Sequence, residues 1–135
     1  EWYDYRRQIC KNANPNEGHK TLVKLETLVP NFFLITQNVD NLHKRAGNLN
    51  CAEIHGNIFL ARCMDCLKIS PIEESHESGD HVKYCTHCKG MLRPHIVWFG
   101  ESYDTSILDL CFSHLEKADL VLVIGTSGAV SMPQT

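Results

Sequence analysis

Two cysteine pairs with the same short spacing constrain this chain more than any other feature of its sequence. Cys63 and Cys66 form one C-x2-C pair, and Cys85 and Cys88 form the second after eighteen intervening residues. Each pair lets two thiolates bind one ion from a tight turn, and two such turns complete a tetrahedral site. The pattern predicts one structural zinc ion, because four cysteine ligands leave no coordination position open for water.

Two other interpretations of these cysteines are packing by four reduced thiols and a redox pair. A redox pair usually opens a helix in a thioredoxin-like unit, and the sequence has no evident unit of that kind. The nearby His76, His81 and His87 are expected to be solvated, since the cysteines already complete the metal shell. The chain has 7 cysteines, and this odd count with metal spacing favours a reducing compartment over a disulfide framework.

Composition and charge exclude several classes of protein. A chain of 135 residues is one domain or a piece of one. With 43% hydrophobic and 21% charged residues, it is neither disordered nor collagen-like. A net charge of −3 without a basic run argues against nucleic acid as a partner, because phosphate contacts need clustered cations. We also expect no membrane partner, since no apolar run approaches the roughly 18 residues that span a bilayer.

Apolar periodicity predicts an α/β fold, with a partial Rossmann-like parallel sheet and an inserted small zinc-binding module. We expect helices up to about Cys10, from a cap at Asn14 through Val29, and over 105–117. In the second of these, Pro15 would open the helix and Glu17 would complete a capping box. Short apolar runs predict strands at 32–36, 52–54, 96–99 and 120–124, the last covered on both faces. We assign 1–62 and 91–135 to the main domain, and 63–90 to a zinc-ribbon-like module.

Polar residues follow three of the predicted strands, at the end where open α/β sheets bind ligands. Amide and carboxylate groups suit a carboxamide or a sugar, and a strand-end Gly-Thr-Ser suits a phosphate or a ribose. A histidine can act as a general base near neutral pH. Taken alone, each cluster is equally an ordinary turn or a structural histidine, so the ligand stays unnamed at this point. The clusters are Gln37, Asn38, Val39 and Asp40; His55 before Gly56; and Gly125, Thr126 and Ser127.

Five motifs in one order resemble the sirtuin family. Residues 35–43 with Ala46-Gly47 are similar to its T-Q-N-x-D-x-L-H-x-x-A-G signature, and residues 53–56 are similar to its catalytic His-Gly. The two cysteine pairs lie where sirtuins have their zinc module. Residues 92–101 resemble the substrate-strand segment, and 123–127 resemble the nucleotide-binding strand end.

The resemblance implies NAD-dependent removal of acyl groups from protein lysines, giving nicotinamide, free lysine and O-acyl-ADP-ribose. His55 would be the general base that deprotonates a ribose hydroxyl. The 37–40 loop would orient the nicotinamide and its ribose, and 125–127 would hold the nucleotide side. The substrate would add as a strand beside 97–101, with Val97, Phe99 and Glu101 as contacts. Trp98 and Phe99 are also candidates for the core.

A further resemblance concerns the acyl group. Tyr3 and Arg6 match the Tyr-x-x-Arg element of class III sirtuins, which recognises acidic acyl groups such as succinyl and malonyl. An arginine can bind a carboxylate bidentately and a phenol can add a hydrogen bond, and a spacing of three puts both on one helix face. The alternatives are a packed tyrosine with a surface arginine, and a plain lysine deacetylase.

The resemblance is partial. The family's Gly-rich phosphate loop and the Arg-containing loop after it are absent from this chain, which ends before the last nucleotide-binding strands. We therefore expect a segment of a longer enzyme, nearly inactive by itself. The competing class is a zinc-ribbon binding module without catalysis, which would explain the four cysteines alone. We expect a cytoplasmic protein, with the mitochondrion as the alternative.

Overall fold

The computed structural model describes residues 1–77 and 82–126. Its helices are α1 (Trp2–Asn12), α2 (Glu17–Leu28), α3 (Leu42–Ala46) and α4 (Thr105–Leu115), with a 3-10 turn at Ile72–Glu74. Its strands are β1 (Leu34–Thr36), β2 (Cys51–Glu53), β3 (Gly56–Cys63), β4 (Ile69–Pro71), β5 (His76–Glu77), β6 (Lys83–Tyr84) and β7 (Leu92–Ile96). None of the helices in the described part of the chain has the length and apolarity to cross a membrane.

β1 and β2 form the parallel pair that the sequence predicts. Leu34 pairs with Cys51 and Thr36 with Glu53, and the crossover between the strands carries α3. The ladder continues beyond β2, because the Ile54 N–H donates to the Thr36 carbonyl at 3.0 Å. Because the strands run the same way, the loop after β1 and the turn after β2 leave the sheet at one edge. The predicted α/β class with an inserted four-cysteine cluster is confirmed.

β3 is the central strand of a second, antiparallel sheet of order β4-β3-β7. Its pairing with β7 shifts register between Asn57 and Ala61, and this irregularity leaves the Ile58 N–H to donate to the Val39 carbonyl at 2.9 Å. Ala61 and Cys63 in this strand are fully buried. The strand thereby joins the loop after β1 to the first cysteine pair. The division of the chain into 1–62 with 91–135 and 63–90 stays a prediction.

The predicted start of α2 was wrong by two residues. The N-cap is Asn16, and its side chain accepts from the His19 N–H, while the His19 ring completes a capping box. Asn14 and Asn16 are equally good caps by residue type, and the sequence does not reveal that His19 lies within reach of the second. The predicted apolar face is also only partly covered, because Leu28 is 76% exposed.

The predicted strand at 96–99 ends earlier, at Ile96. The next residues form a turn closed by a 3.0 Å hydrogen bond from the Glu101 N–H to the Trp98 carbonyl. Gly100 has a φ of +82° in this turn, a conformation that glycine adopts at little cost. Trp98 and Phe99 are consequently exposed, so their assignment as core residues was wrong.

The predicted strand at 120–124 is the largest departure from expectation. These residues have no strand partner within the described ranges, and their side chains are 51 to 76% exposed. The helix before it, predicted over 105–117, is confirmed as α4 within two residues of its end. An apolar run forms a buried parallel strand only where a neighbouring strand pairs with it and helices cover its faces. No described segment does this for residues 120–124.

Candidate functional site

The loop after β1 is held by two hydrogen bonds from backbone N–H groups to nearby side chains. The Asn38 N–H donates to Thr36 Oγ1 at 3.1 Å, and Asp40 Oδ1 accepts from the Leu42 N–H at 2.9 Å. The Asn38 side chain makes no hydrogen bond to any residue that the structure describes, and both Gln37 and Asn38 are exposed. The loop therefore offers a free amide beside a carboxylate, the groups that suit a carboxamide or a sugar.

The last described residues approach this loop. Thr126 Oγ1 lies 3.5 Å from Gln37 Oε1, which brings two of the predicted clusters together although 89 positions separate them in sequence. Gly125 has a φ of +69° at this bend. Ser127, the third predicted residue of that cluster, lies outside the described residues. The remaining predicted contacts of 37–40 and 125–127 stay predictions.

A buried asparagine that the sequence did not indicate supports the same loop. Asn57 is 4% exposed, and its Nδ2 donates to both carboxylate oxygens of Glu53 at 2.9 and 3.0 Å and to Asn41 Oδ1 at 3.2 Å. Asn41 has a φ of +63°, a left-handed conformation that asparagine tolerates better than most residues. Asn57 thus connects the start of β3 to the end of the loop after β1. No sequence motif predicts that contact.

His55 lies in the turn between β2 and β3, half-buried. Its carbonyl accepts from the Val97 N–H at 3.0 Å, so the histidine is adjacent to the predicted substrate segment. Its Nε2 lies 3.1 Å from the hydroxyl of Tyr103. The next residue, Gly56, has a φ of +83°, and a Cβ there would collide with the His95 carbonyl. Sequence reasoning found His55 but missed Tyr103, which lies 48 residues away and belongs to no motif.

Arg93 contacts three residues of the predicted substrate segment. Its guanidinium pairs with both carboxylate oxygens of Glu101, and its Nη2 also donates to the Ile96 carbonyl at 2.8 Å. The guanidinium carbon lies 3.6 Å from the centre of the Trp98 ring, in cation–π contact. Glu101 accepts from the Trp98 N–H as well, at 2.9 Å. Glu101 therefore shapes the turn that exposes Phe99, and its contact with a substrate stays a prediction.

The Arg93 guanidinium, followed by the Trp98 N–H, lowers the pKa of Glu101 to about 2. A carboxyl whose pKa falls on folding stabilises the protein fully above its unfolded pKa, and loses that effect as the pH drops toward its folded value. We expect Glu101→Gln to lower the free energy of unfolding at pH 7 by about 1 kcal/mol, a value discounted for partial exposure. The difference from wild type should shrink as the pH falls from 4.5 toward 2, as urea unfolding would measure. A double-mutant cycle with Arg93→Met that gives no coupling would contradict this pairing.

Tyr3 and Arg6 lie on α1 and meet different tryptophans. The Tyr3 ring stacks on Trp98 with centroids 6.4 Å apart and 19° between planes, so α1 adjoins the predicted substrate segment. The Arg6 guanidinium carbon lies 5.6 Å from the centre of the Trp2 ring. Within the described ranges Arg6 has no carboxylate partner, and it is exposed. The structure therefore leaves its charge available to an outside anion.

The four predicted zinc ligands converge. Their sulfur atoms all lie within 4.8 Å of one another, with 3.4 Å between Cys63 and Cys88 and 3.9 Å between Cys66 and Cys85. Four sulfurs around a zinc ion at about 2.3 Å lie roughly 3.8 Å apart. All four cysteines are free thiols in the structure. The cluster fits a zinc ion with the predicted all-cysteine shell.

The two cysteine turns repeat one backbone design. The Cys63 N–H donates to the Lys68 carbonyl at 2.9 Å, and the Cys85 N–H donates to the Gly90 carbonyl at 2.8 Å. The residue after each second cysteine has a positive φ, 59° at Leu67 and 65° at Lys89. The N–H groups of Cys88 and then His87 lower the pKa of Cys85 to about 7. These donors favour the thiolate form that binds a metal.

Known proteins are similar to this chain over almost its whole length. A model of the Sir2 family matches residues 1–132. A protein of Leptospira interrogans (serovar Lai, strain 56601), named NAD-dependent protein deacylase, is 50% identical over 133 residues, covering 98% of this chain and 54% of that protein. A protein of Aquifex aeolicus with the same name is 46% identical over 130 residues, covering 96% of this chain and 54% of its own. The chain spans about half the length of these relatives.

Solved structures agree with the sequence relatives. A Sir2 homologue in complex with NAD superposes with a TM-score of 0.86 at 39% identity, over 96% of this chain and 50% of that one. A structure described as Sir2 bound to acetylated peptide has a TM-score of 0.76 at 35% identity, over 88% of this chain and 51% of that one. The fold of this chain is therefore shared with a Sir2 homologue that was solved in complex with NAD.

Proposed function

The chain belongs to the Sir2 family, and from this premise we propose that it forms about half of an NAD-dependent protein-lysine deacylase. The observation that carries the proposal is that the 37–40 loop and His55 follow two paired parallel strands at the same edge, with Thr126 beside Gln37. The loop offers an unpaired amide and a carboxylate, and His55 lies beside the segment predicted to hold the substrate. A zinc-ribbon module without catalysis would leave this arrangement unexplained.

In the proposed reaction, each residue acts through groups that the fold already orients. Asn38 and Asp40 would bind the nicotinamide carboxamide and its ribose, and Gln37 and Thr126 would lie beside them. His55 would accept the proton from a ribose hydroxyl. NAD would supply the ribose to which the acyl group is transferred, and one water molecule would be consumed. Free lysine, nicotinamide and O-acyl-ADP-ribose would be the products. Zinc would stabilise the scaffold without taking part in the chemistry.

We propose an acyl-lysine protein as substrate, bound as an added strand beside 97–101. The backbone there leaves β7 at Ile96 and turns at Trp98–Glu101, so that Phe99 is exposed for a partner strand while Val97 is half-buried beside it. Phe99 is fully exposed, so its ring is available to an added strand. Peptides carrying acyl-lysine should therefore bind with Phe99 in the interface.

We further propose that acidic acyl groups are preferred, through Tyr3 and Arg6. Replacing Arg6 by Met in the complete enzyme should lower kcat/KM for succinyl-lysine peptide about 10- to 100-fold, the effect of losing one charged hydrogen-bonded pair. Acetyl-lysine removal should change less than about threefold by the same reasoning, because acetyl carries no carboxylate. Nicotinamide release followed by mass spectrometry measures both rates.

Arg7→Met is the matched control for that substitution. Arg7 is the neighbouring arginine on α1, and it is already occupied by Asp4 and by the Tyr3 carbonyl. Arg7→Met should leave unchanged the ratio of kcat/KM for succinyl-lysine peptide to kcat/KM for acetyl-lysine peptide. Parallel loss of both activities in Arg6→Met would instead favour a plain deacetylase with Arg6 in a structural role.

We propose the cytoplasm as the location, with the mitochondrion as the alternative. All seven cysteines are free thiols, which suits a reducing compartment. Fractionation of cells expressing the complete protein, with immunodetection in each fraction, tests this placement. Recovery in a secreted fraction would contradict it.

A further inference from the structure

We propose that Asn57 is a positioning residue, which holds the 37–40 loop in its NAD-binding conformation by anchoring the end of that loop to the carboxylate of Glu53. This inference rests on the proposed function, in which the loop binds the nicotinamide and its ribose. Asn57 and Glu53 act on the cofactor through the loop. Neither the motifs nor the comparisons assign this role to the pair.

The partners of Asn57 fix the orientation of its side-chain amide. The Asn57 Oδ1 accepts from the Phe59 N–H at 2.9 Å, and a backbone N–H can only donate. The Asn57 Nδ2 therefore faces Glu53, whose two carboxylate oxygens accept at 2.9 and 3.0 Å. It also faces Asn41, whose Oδ1 accepts at 3.2 Å. The direction of each bond thus follows from the chemistry of the partner, and both the oxygen and the nitrogen of the amide are used.

Both members of the anchoring pair are buried. Asn57 is 4% exposed, and the side chain of Glu53 is 8% exposed. A buried amide or carboxylate that loses its partner costs free energy, which a formed hydrogen bond avoids. Lys44 on α3 donates to Glu53 Oε2 at 2.6 Å, so the charge of the carboxylate is paired as well. The cluster therefore favours the arrangement in which Asn41 stays in contact.

The loop is held on both sides of Asp40. The Val39 carbonyl accepts from the Ile58 N–H at 2.9 Å, and Asn41 Oδ1 accepts from Asn57 Nδ2. Two neighbouring residues at the start of β3 therefore bind the residues before and after the carboxylate that is proposed to contact NAD. A loop that is ordered before NAD arrives binds it more tightly, because less ordering accompanies binding.

Exchanging the donor and the acceptor of the pair in the complete enzyme tests the proposal. Asn57→Asp puts a second carboxylate against Glu53, and it should raise KM for NAD about 10- to 100-fold. The kcat at saturating NAD should stay within about threefold, and KM for peptide within about twofold, because Arg93 holds 97–101 separately. The double variant Glu53→Gln with Asn57→Asp lets the new amide donate to the new carboxylate. It should return KM for NAD to within about fivefold of wild type. Asn14→Asp makes the same change at an exposed asparagine and should match wild type.

Amide hydrogen exchange of the NAD-free protein reads the order of the loop independently of activity. In Asn57→Asp the N–H groups of Leu42 and Ile58 should exchange about tenfold faster than in wild type, while those of α4 keep the wild-type rate. Unchanged exchange at Leu42 and Ile58, or an unchanged KM for NAD, overturns the proposal. Faster exchange throughout the protein, or a double variant no better than Asn57→Asp, overturns it as well, since Asn57 would then serve general stability. A wild type that releases no nicotinamide with NAD and acyl peptide overturns the proposed function instead, and the exchange rates still decide whether Asn57 holds the loop.

Discussion

Replacing His55 by Ala in the complete enzyme should lower kcat for deacylation about 10²- to 10⁴-fold, the usual contribution of a general base. The fold should survive, because His55 is held mainly through backbone contacts at its carbonyl and at Gly56. Binding of NAD, followed by calorimetry, should change little, since the predicted nicotinamide and ribose contacts come from the 37–40 loop. The measurement is single-turnover deacylation of an acyl-lysine peptide, with nicotinamide release followed in parallel.

His87→Ala is the matched control for that experiment. His87 is an exposed histidine in the second cysteine turn, and its side chain serves no predicted step. Its rate should equal the wild-type rate. A His55→Ala enzyme with wild-type kcat would remove His55 from the role of base.

Local spacing predicted the parts of the site that are close in sequence. The two cysteine turns follow from C-x2-C alone, because one turn of chain places both sulfurs. The polar groups after β1 and β2 were predicted because each follows a short apolar run, and parallel strands end at one edge. These signals need no knowledge of the tertiary fold.

The missed contacts are the ones that the tertiary fold creates. Tyr103 reaches His55 only because β7 pairs with β3 and the chain then turns at Gly100. Asn57 reaches the loop after β1 only because the β3–β7 register shifts beside it. A single sequence carries the residues of such contacts but not their pairing.

The strand that was wrongly predicted at 120–124 also depends on the tertiary fold. Its composition satisfies the requirement for a buried parallel strand, yet burial depends on neighbours that the described residues do not supply. The turn at 98–101 shows a related limit. Its apolar residues predict a strand, but Arg93 donates both to the Ile96 carbonyl and to Glu101. A bent chain satisfies those two bonds better than an extended one.

Replacing Cys63 by Ser should cost the protein its zinc ion and the fold of the cysteine module. Apparent binding free energies of structural zinc reach about 10–16 kcal/mol, which equals or exceeds the total stability of an ordinary domain, about 5–15 kcal/mol. Cys63 is fully buried and pairs with Leu92 at the start of β7, so its loss should also loosen the β3–β7 ladder. Metal analysis should fall from one zinc per chain to nearly none, and thermal unfolding should begin at a clearly lower temperature.

The consequence of metal loss should extend to the catalytic side, because β3 and β7 carry both ends of the site. Gly56 at the start of β3 pairs with Ile96 at the end of β7, next to the Val97 contact that holds His55. A chelator should therefore abolish deacylation together with the fold, and added zinc should restore both if refolding is reversible. Cys10→Ser is the matched control, since Cys10 lies on α1 outside the cluster. Full activity and an unchanged unfolding temperature in the zinc-free protein would show instead that β3 and β7 hold the site without the metal.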